Sequence, residues 1–419
     1  MTLPLLYREQ TMAISHGRRR FPVGRLVLRL LTRASAVSSS SFFSTNSSRT
    51  PLLSLSSAKS RLRKEYDPDK ALSIISSAPN PSSSRTSGRF AVEFAARRLF
   101  RARRFTELES FLESHKSDSA ASQEPFLSTV ILCYGSAFML DRAIATFKDI
   151  PRLCSAPPTI LSFNALPCAA IRARRYDQIP NIFTEFSEKH DISPDKVSFG
   201  ILVKALCLSR KSSKAIEILK EMREKDVEVT TVTYTTIIDS LYKEGKPEKA
   251  EKLWNEMLVN GCAPDLASYN VKIMHRALKG RSSEVLESIS ELQAAGLKPD
   301  TITYNYLMTC YSNEGRSDDA KKVYMELKSN GCPPNSTTYK VMLNHLCKNE
   351  DFDAGFDVFK KSMKSNKIPG FRTMKPLVVG LAKNSKLEEA KMVIAEVRKR
   401  FPANMVGAWK VVEKELGLV

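Results

Sequence analysis

No apolar stretch in the 419-residue sequence runs unbroken for the roughly 18 residues a membrane-crossing helix needs, because Arg, Lys or Ser interrupts each one. A membrane is therefore not an expected partner. The eight cysteines, at 133, 154, 168, 207, 262, 310, 332 and 347, include no C-x-x-C pair. With five scattered histidines they offer neither a zinc-ligand spacing nor a disulfide framework, so no metal is expected and a reducing compartment fits. Glycine-rich phosphate loops, G-x-S-x-G, and the H-x-E with C-x-x-C of a zinc deaminase are missing as well. The paired acids at Asp318 and Asp319 and at Glu388 and Glu389 hold one place in a repeating pattern, a helix's first turn, where carboxylates complement the helix dipole. No catalytic residue, cofactor or small-molecule substrate is expected, and the chain does not read as an enzyme.

Acidic residues are scarce at the start. Residues 1–64 hold ten Arg and two Lys against Glu9 alone, which is +11 of the net +20. A further +6 comes from residues 85–104, where seven Arg face Glu93, so the bulk of the chain is only mildly basic. The first segment also holds thirteen Ser, and an Arg-rich, Ser-rich, acid-poor start has the composition of an organelle transit peptide. Val23, Val27, Leu30 and Leu31 fall on one side of a helix and Arg25, Arg29 and Arg33 on the other, the amphipathic form of an import helix. The run SSSSFFSTNSS at 38–48 resembles processing regions of plant mitochondrial presequences, which puts cleavage near Phe43. A disordered basic tail is the alternative; a secretory signal would need an unbroken apolar core that is not there. The expected location is the mitochondrial matrix, ahead of the plastid. Residues 1–64 are read as a disordered transit peptide and 65–88 as a linker with one short helix at Ala71–Ser76.

The rest of the chain repeats. Aromatic residues recur at Phe163, Phe199, Tyr234, Tyr269, Tyr304 and Tyr339, spaced 36 and then 35 residues apart, with Met374 next in register. Proline keeps the same beat at Pro194, Pro264, Pro299, Pro334 and Pro369, and small residues do so at Ala215, Ala250, Ala320, Gly355 and Ala390. Gly245, Gly280 and Gly315 mark the middles of three units, and Gly261, Gly296 and Gly331 mark their ends. A fixed period of this size signals a repeat architecture.

Each unit has room for two helices. Between Thr231 and Asp265, Tyr234, Ile237, Ile238 and Leu241 form one apolar helix face, and Ala250, Leu253, Trp254 and Met257 form a second. Gly245 stops the first helix; Gly261 and Pro264 end the second. Ala250 and its equivalents sit where the two helices cross. One hairpin cannot bury its apolar faces but stacked neighbours can, which predicts an all-α solenoid. Nine units are counted, at 89–123, 124–159, 160–195, 196–230, 231–265, 266–300, 301–335, 336–370 and 371–405, followed by a capping helix over 406–419. The earliest are the most degenerate; RARRF at 101–105 and RARRY at 172–176 lie 71 residues apart and keep the register.

TVTYTTIIDSLYKEGKPEKAEKLWNEMLVNGCAPD, residues 231–265, resembles the pentatricopeptide repeat of the plain P type, as found in plant organelles, over about three-quarters of the chain. The tetratricopeptide repeat is the nearest confusion, with a different unit length and different aromatic places. The resemblance implies a right-handed superhelix that binds single-stranded RNA, one base per repeat, which suits RNA recognition because unpaired bases expose their hydrogen-bonding edges. In that family the fifth and last residues of a repeat face a base, and the second packs between bases. Carried over, Asn164 with Asp195 and Asn270 with Asp300 would prefer U, Thr235 with Asp265 would prefer G, and Asn305 with Asn335 would accept either pyrimidine. Val197, Val232, Ala267 and Ile302 would be the packing residues. Gly200 with Thr230 and Lys340 with Gly370 depart from the family's pairs, so the implied target core is U-N-G-U-Y. The competing account is that polar residues on a first helical turn only cap it.

A core of that length recurs about once in 130 nucleotides, too often to single out one message. A general RNA role, or RNA held jointly with a protein assembly, is therefore expected. Arg97, Arg101 and Arg104 fall at i, i+4 and i+7, one charged face suited to phosphates or ribosomal RNA, with a solvated outer face as the alternative. The expected function is single-stranded RNA binding in mitochondrial post-transcriptional gene expression, through stability, processing or translation. The alternative is a structural part of the mitochondrial small ribosomal subunit, bound to ribosomal RNA and proteins.

Overall fold

The computed structural model describes residues 54–78, 86–116, 123–400 and 403–417. The expected import helix and the 38–48 processing run lie outside the described residues. Within them the chain is all-helical, with 22 α-helices and no strand, and no helix is long and apolar enough to cross a membrane.

The chain divides into two compact units, Met1–Ser209 and Arg210–Val419. The first pairs α1 (Leu55–Lys64) with α2 (Pro68–Ser76) and α3 (Thr86–Arg101) with α4 (Phe105–Lys116). It continues with α5 (Glu124–Ser136), α6 (Leu140–Lys148) and the short α7 (Ile150–Cys154), then α8 (Ile160–Arg172) with α9 (Ile179–Lys189), and ends on α10 (Lys196–Leu208). The second opens on α11 (Ser212–Glu224) and continues with the pairs α12 (Thr231–Lys243) and α13 (Pro247–Val259), and α14 (Leu266–Leu278) and α15 (Ser282–Ala294). It closes with α16 (Thr301–Asn313) and α17 (Ser317–Glu326), α18 (Ser336–Lys348) and α19 (Phe352–Lys364), α20 (Phe371–Lys383) and α21 (Leu387–Arg400), and α22 (Ala403–Glu415).

Each hairpin repeats one construction. The first helix opens on a polar cap such as Asp195, Thr230, Asp265, Asp300 or Asn335, whose side chain accepts from first-turn backbone amides left without helical partners. It stops where the chain turns left-handed, as at Gly245 (φ 75), and the Lys246 amide donates back to the Leu241 carbonyl at 2.9 Å. The second helix then folds back, and its fourth residue meets the first helix. Ala71, Ala143, Ala250, Val285, Ala320 and Ala390 hold that place and are fully buried. The periodic aromatics Phe163, Phe199, Tyr234, Tyr269 and Tyr339 are buried too, with Met374; Tyr304 is half-buried.

The N-terminal boundary expected from composition cuts through this pattern. Residues 55–64, at the end of the expected disordered leader, are helical, with Ala58 and Leu62 fully buried, while the short helix expected at Ala71–Ser76 is present as α2, starting earlier at Pro68. Leu62, Ala71 and Ile75 form one core with Ala91 and Ala95 of α3, and the buried Arg98 guanidinium donates to the Leu62 carbonyl at 3.1 Å. Composition missed this because Arg and Ser set the average there, while the apolar face rests on a few small side chains. α1 and α2 thus form a hairpin ahead of the first counted unit. At the other end α22 starts at Ala403, and Trp409 and Val412 are buried against the last hairpin, with Trp409 edge-on to Phe371 at 4.8 Å.

Candidate nucleic-acid interface

Asn164, Thr235, Asn270 and Asn305, each fifth in its repeat, lie on the face where one first helix meets the next. Asn164 and Asn305 are 3% exposed and Asn270 9%, while Thr235 is half-buried. None of these four stands free in solvent, as a base reader acting alone would. Each reaches the next repeat's first turn instead. The Asn164 amide donates to Asp195 at 3.3 Å, and Asn270 and Asn305 donate to Asp300 and Asn335 at the same distance.

A third hydroxyl closes the triangle. Ser198 Oγ lies 2.6 Å from Asn164 Oδ1 and 2.8 Å from Asp195 Oδ1, and its single proton can go to either. Thr303 Oγ1 likewise reaches Asn270 at 2.8 Å and Asp300 at 3.0 Å. Thr235 Oγ1 lies 2.6 Å from Ser268 Oγ, itself 2.8 Å from Asp265. The pairs picked out in the sequence are thus brought together, three of them directly and Thr235 with Asp265 only through Ser268. The third residue escaped sequence reasoning, although hydroxyls at Ser162, Ser198, Thr233, Ser268, Thr303 and Thr338 repeat in register.

The other half of the expected site faces solvent. Val232 is 52% and Ile302 46% exposed, Ala267 is exposed, and Val197 is half-buried. Asp195 and Asp265 are exposed beside them, with Asp300 and Asn335 half-buried. Large apolar side chains left open at one repeating place, next to hydrogen-bond acceptors, suit flat rings with donor edges. Gly200 leaves open space, with nothing within 4 Å of where a β-carbon would be, and Lys340 is exposed.

The expected arginine face is broken by the chain itself. α3 ends at Arg101, and Arg103 turns left-handed (φ 61), which carries Arg104 off the helix. Arg104 pairs with Asp69 at 2.5 Å and with Glu107, and Arg97 pairs with Glu93 at 2.6 Å, so both cations already have carboxylates. Arg101 is exposed.

Thiol chemistry is suppressed by packing: burial pushes the Cys133 and Cys310 thiols up, to about 12 and about 11, so both stay protonated. Burial also lowers His345, which shares a hydrogen bond with Ser317 Oγ at 3.0 Å. Among the described residues, no group of three or more His, Cys, Asp or Glu side chains is placed to hold a metal.

Compared with known families, residues 194–243, 229–274 and 299–348 match the PPR repeat family, and residues 337–366 match the PPR repeat. The chain therefore carries pentatricopeptide repeats through these stretches. Over 209 residues it is 46% identical to small ribosomal subunit protein mL103 of Arabidopsis thaliana, covering 49% of this chain and 50% of that protein. A mitochondrial pentatricopeptide repeat-containing protein of the same plant is 43% identical over 207 residues, covering 49% of each. The chain thus spans about half the length of the relatives it matches. Among solved structures, the pentatricopeptide repeat protein PPR10 from maize matches at 16% identity with a TM-score of 0.45, over 85% of this chain and 59% of that one.

Proposed function

We propose that this protein binds single-stranded RNA in the mitochondrion and acts in post-transcriptional gene expression by binding rather than catalysis. The observation that carries this reading is the solvent-exposed row Val232, Ala267 and Ile302 beside the helix-capping acids, repeated every 35 residues. Bases, not phosphates, suit that row: a carboxylate repels phosphate but accepts from the ring N–H of uracil or guanine. Asn164, Asn270 and Asn305 act chiefly by fixing the acceptors they touch, and Asp195, Asp265, Asp300 and Asn335 present the edge a base meets. The uniform period of units 196–370 supports the plain P type. The Arg-rich, acid-poor first residues and the mitochondrial relative support import into that organelle.

The full chain is expected to retard a single strand containing U-N-G-U-Y, less so as salt rises, and Thr235→Asn is expected to lower its preference for G at the third place. No retardation of any single strand would contradict the proposal.

A second reading has its own observation, the 46% identity to a small ribosomal subunit protein. Here the chain is a structural part of the mitochondrial small subunit. The protein would then co-sediment with small subunits in RNase-free gradients and Thr235→Asn would leave it there; sedimentation away from subunits would exclude this reading.

A further inference from the structure

The first unit carries a basic and aromatic edge that the base-reading row does not use. It is formed by the turns inside three successive hairpins, residues 101–107, 136–142 and 172–178, which hold seven Arg against three acids. Two of these turns are the RARRF and RARRY motifs. The turns lie side by side: the Phe100 and Phe138 rings are 5.8 Å apart, and the Arg172 guanidinium donates to the Leu132 carbonyl and Ser136 Oγ at 3.0 Å.

At the centre stands Phe138, 53% exposed and in the left-handed region at φ 65. Bulky side chains rarely adopt that conformation, and Gly245, Gly280 and Gly315 fill the same place in other hairpins. A ring here is both strained and open to water, a combination that packing does not explain and that concentrates at functional sites. Phe100 supports it from behind and leads on to Phe105, 6.0 Å from Phe100 and 41% exposed. Arg103 and Arg174 hold the matching left-handed places on either side and are exposed. Among the described residues neither lies within ion-pair distance of a carboxylate, unlike Arg97 and Arg104.

We propose that this edge is a second RNA contact, in which an unpaired base stacks on Phe138 while Arg103 and Arg174 neutralise phosphates on its two sides. An exposed ring between two unpaired guanidinium groups fits stacked base and flanking phosphate, and carries no element that reads sequence. The inference rests on the RNA-binding reading but places the contact on a different surface.

The test uses the full chain with two 20-nucleotide single strands, one containing U-N-G-U-Y and one of equal composition without it. Phe138→Trp adds an exposed indole to a protein whose Trp254 and Trp409 are buried, and its emission is expected to be quenched by both strands. Phe138→Gly, which restores the residue other turns use, is expected to melt no lower than wild type and to bind both strands about tenfold more weakly, the scale of one lost stack. Arg103→Ala with Arg174→Ala is expected to weaken both strands equally and to reduce the salt dependence by about two phosphate contacts. If wild type binds RNA while these variants bind equally well, or the new indole does not respond to saturating RNA, the edge is not a contact and only the base-reading row stands. If wild type binds neither strand, both proposals fail.

Discussion

Gly135 and Gly380 have no room for a β-carbon. One at Gly135 would lie 2.4 Å from the Ala169 backbone on α8, and one at Gly380 would lie 1.9 Å from the Phe352 ring. Gly135→Ala must push α5 and α8 apart and is expected to cost about 1–3 kcal/mol, read as a lower midpoint in thermal or urea unfolding. The opposite sign is expected at Ser385, which turns left-handed (φ 60): Ser385→Gly should raise stability by about 1 kcal/mol. The sequence revealed the turns that use glycine but not those at Arg103, Phe138, Arg174, Arg210, Glu350 and Ser385, which keep the same φ sign with a β-carbon. The backbone bond that closes the turn is the same with or without glycine, Lys386 to Leu381 and Asp351 to Leu346 at 2.9 Å as in Lys246 to Leu241. A residue-type pattern cannot display such a bond.

At the scale of the helix, neighbouring repeats complete each other's ends. Glu244 and Glu314, at the close of α12 and α16, accept from the first backbone amides of α11 and α15, Ser212 at 3.0 Å and Ser282 at 2.6 Å. Burial alone would raise both carboxyls. Hydrogen bonds from Lys246 and Ser212 to Glu244, and from Ser282 with the nearby Arg316 to Glu314, outweigh it and hold both below the usual range. Because the folded pKa is the lower one, the contribution is complete above the unfolded value and fades as pH falls through the folded one. Glu314→Gln is thus expected to cost about 1 kcal/mol at pH 7 and progressively less below about pH 4. Thr303→Val removes the hydroxyl joining Asn270 to Asp300 and is expected to cost about 1–2 kcal/mol by denaturant unfolding. Such ties explain why the interface was only half legible. Asn, Asp and Thr look alike as caps and as base readers, and their burial depends on a partner some 33 residues away that no local pattern names.

At the scale of the whole molecule, the 35-residue register read from aromatics, prolines and small residues carries the fold through the central hairpins. It weakens where composition is dominated by Arg and Ser, so that α1 reads as leader and α2 as a lone short helix in a linker. A chain beginning at residue 65 loses α1 and uncovers the Ala91 and Ala95 face of α3. It is expected to unfold about 2–4 kcal/mol more easily in its first unit than one beginning at residue 54, as followed by amide hydrogen exchange over α3. The measurement that bears most directly on function is RNA affinity after the exposed apolar row is made acidic. Val232→Asp with Ile302→Asp sits on solvent-facing positions and should leave the unfolding midpoint within experimental error of wild type. Binding of a U-N-G-U-Y single strand is expected to weaken at least tenfold; unchanged binding by the folded variant would show that RNA does not lie along this row.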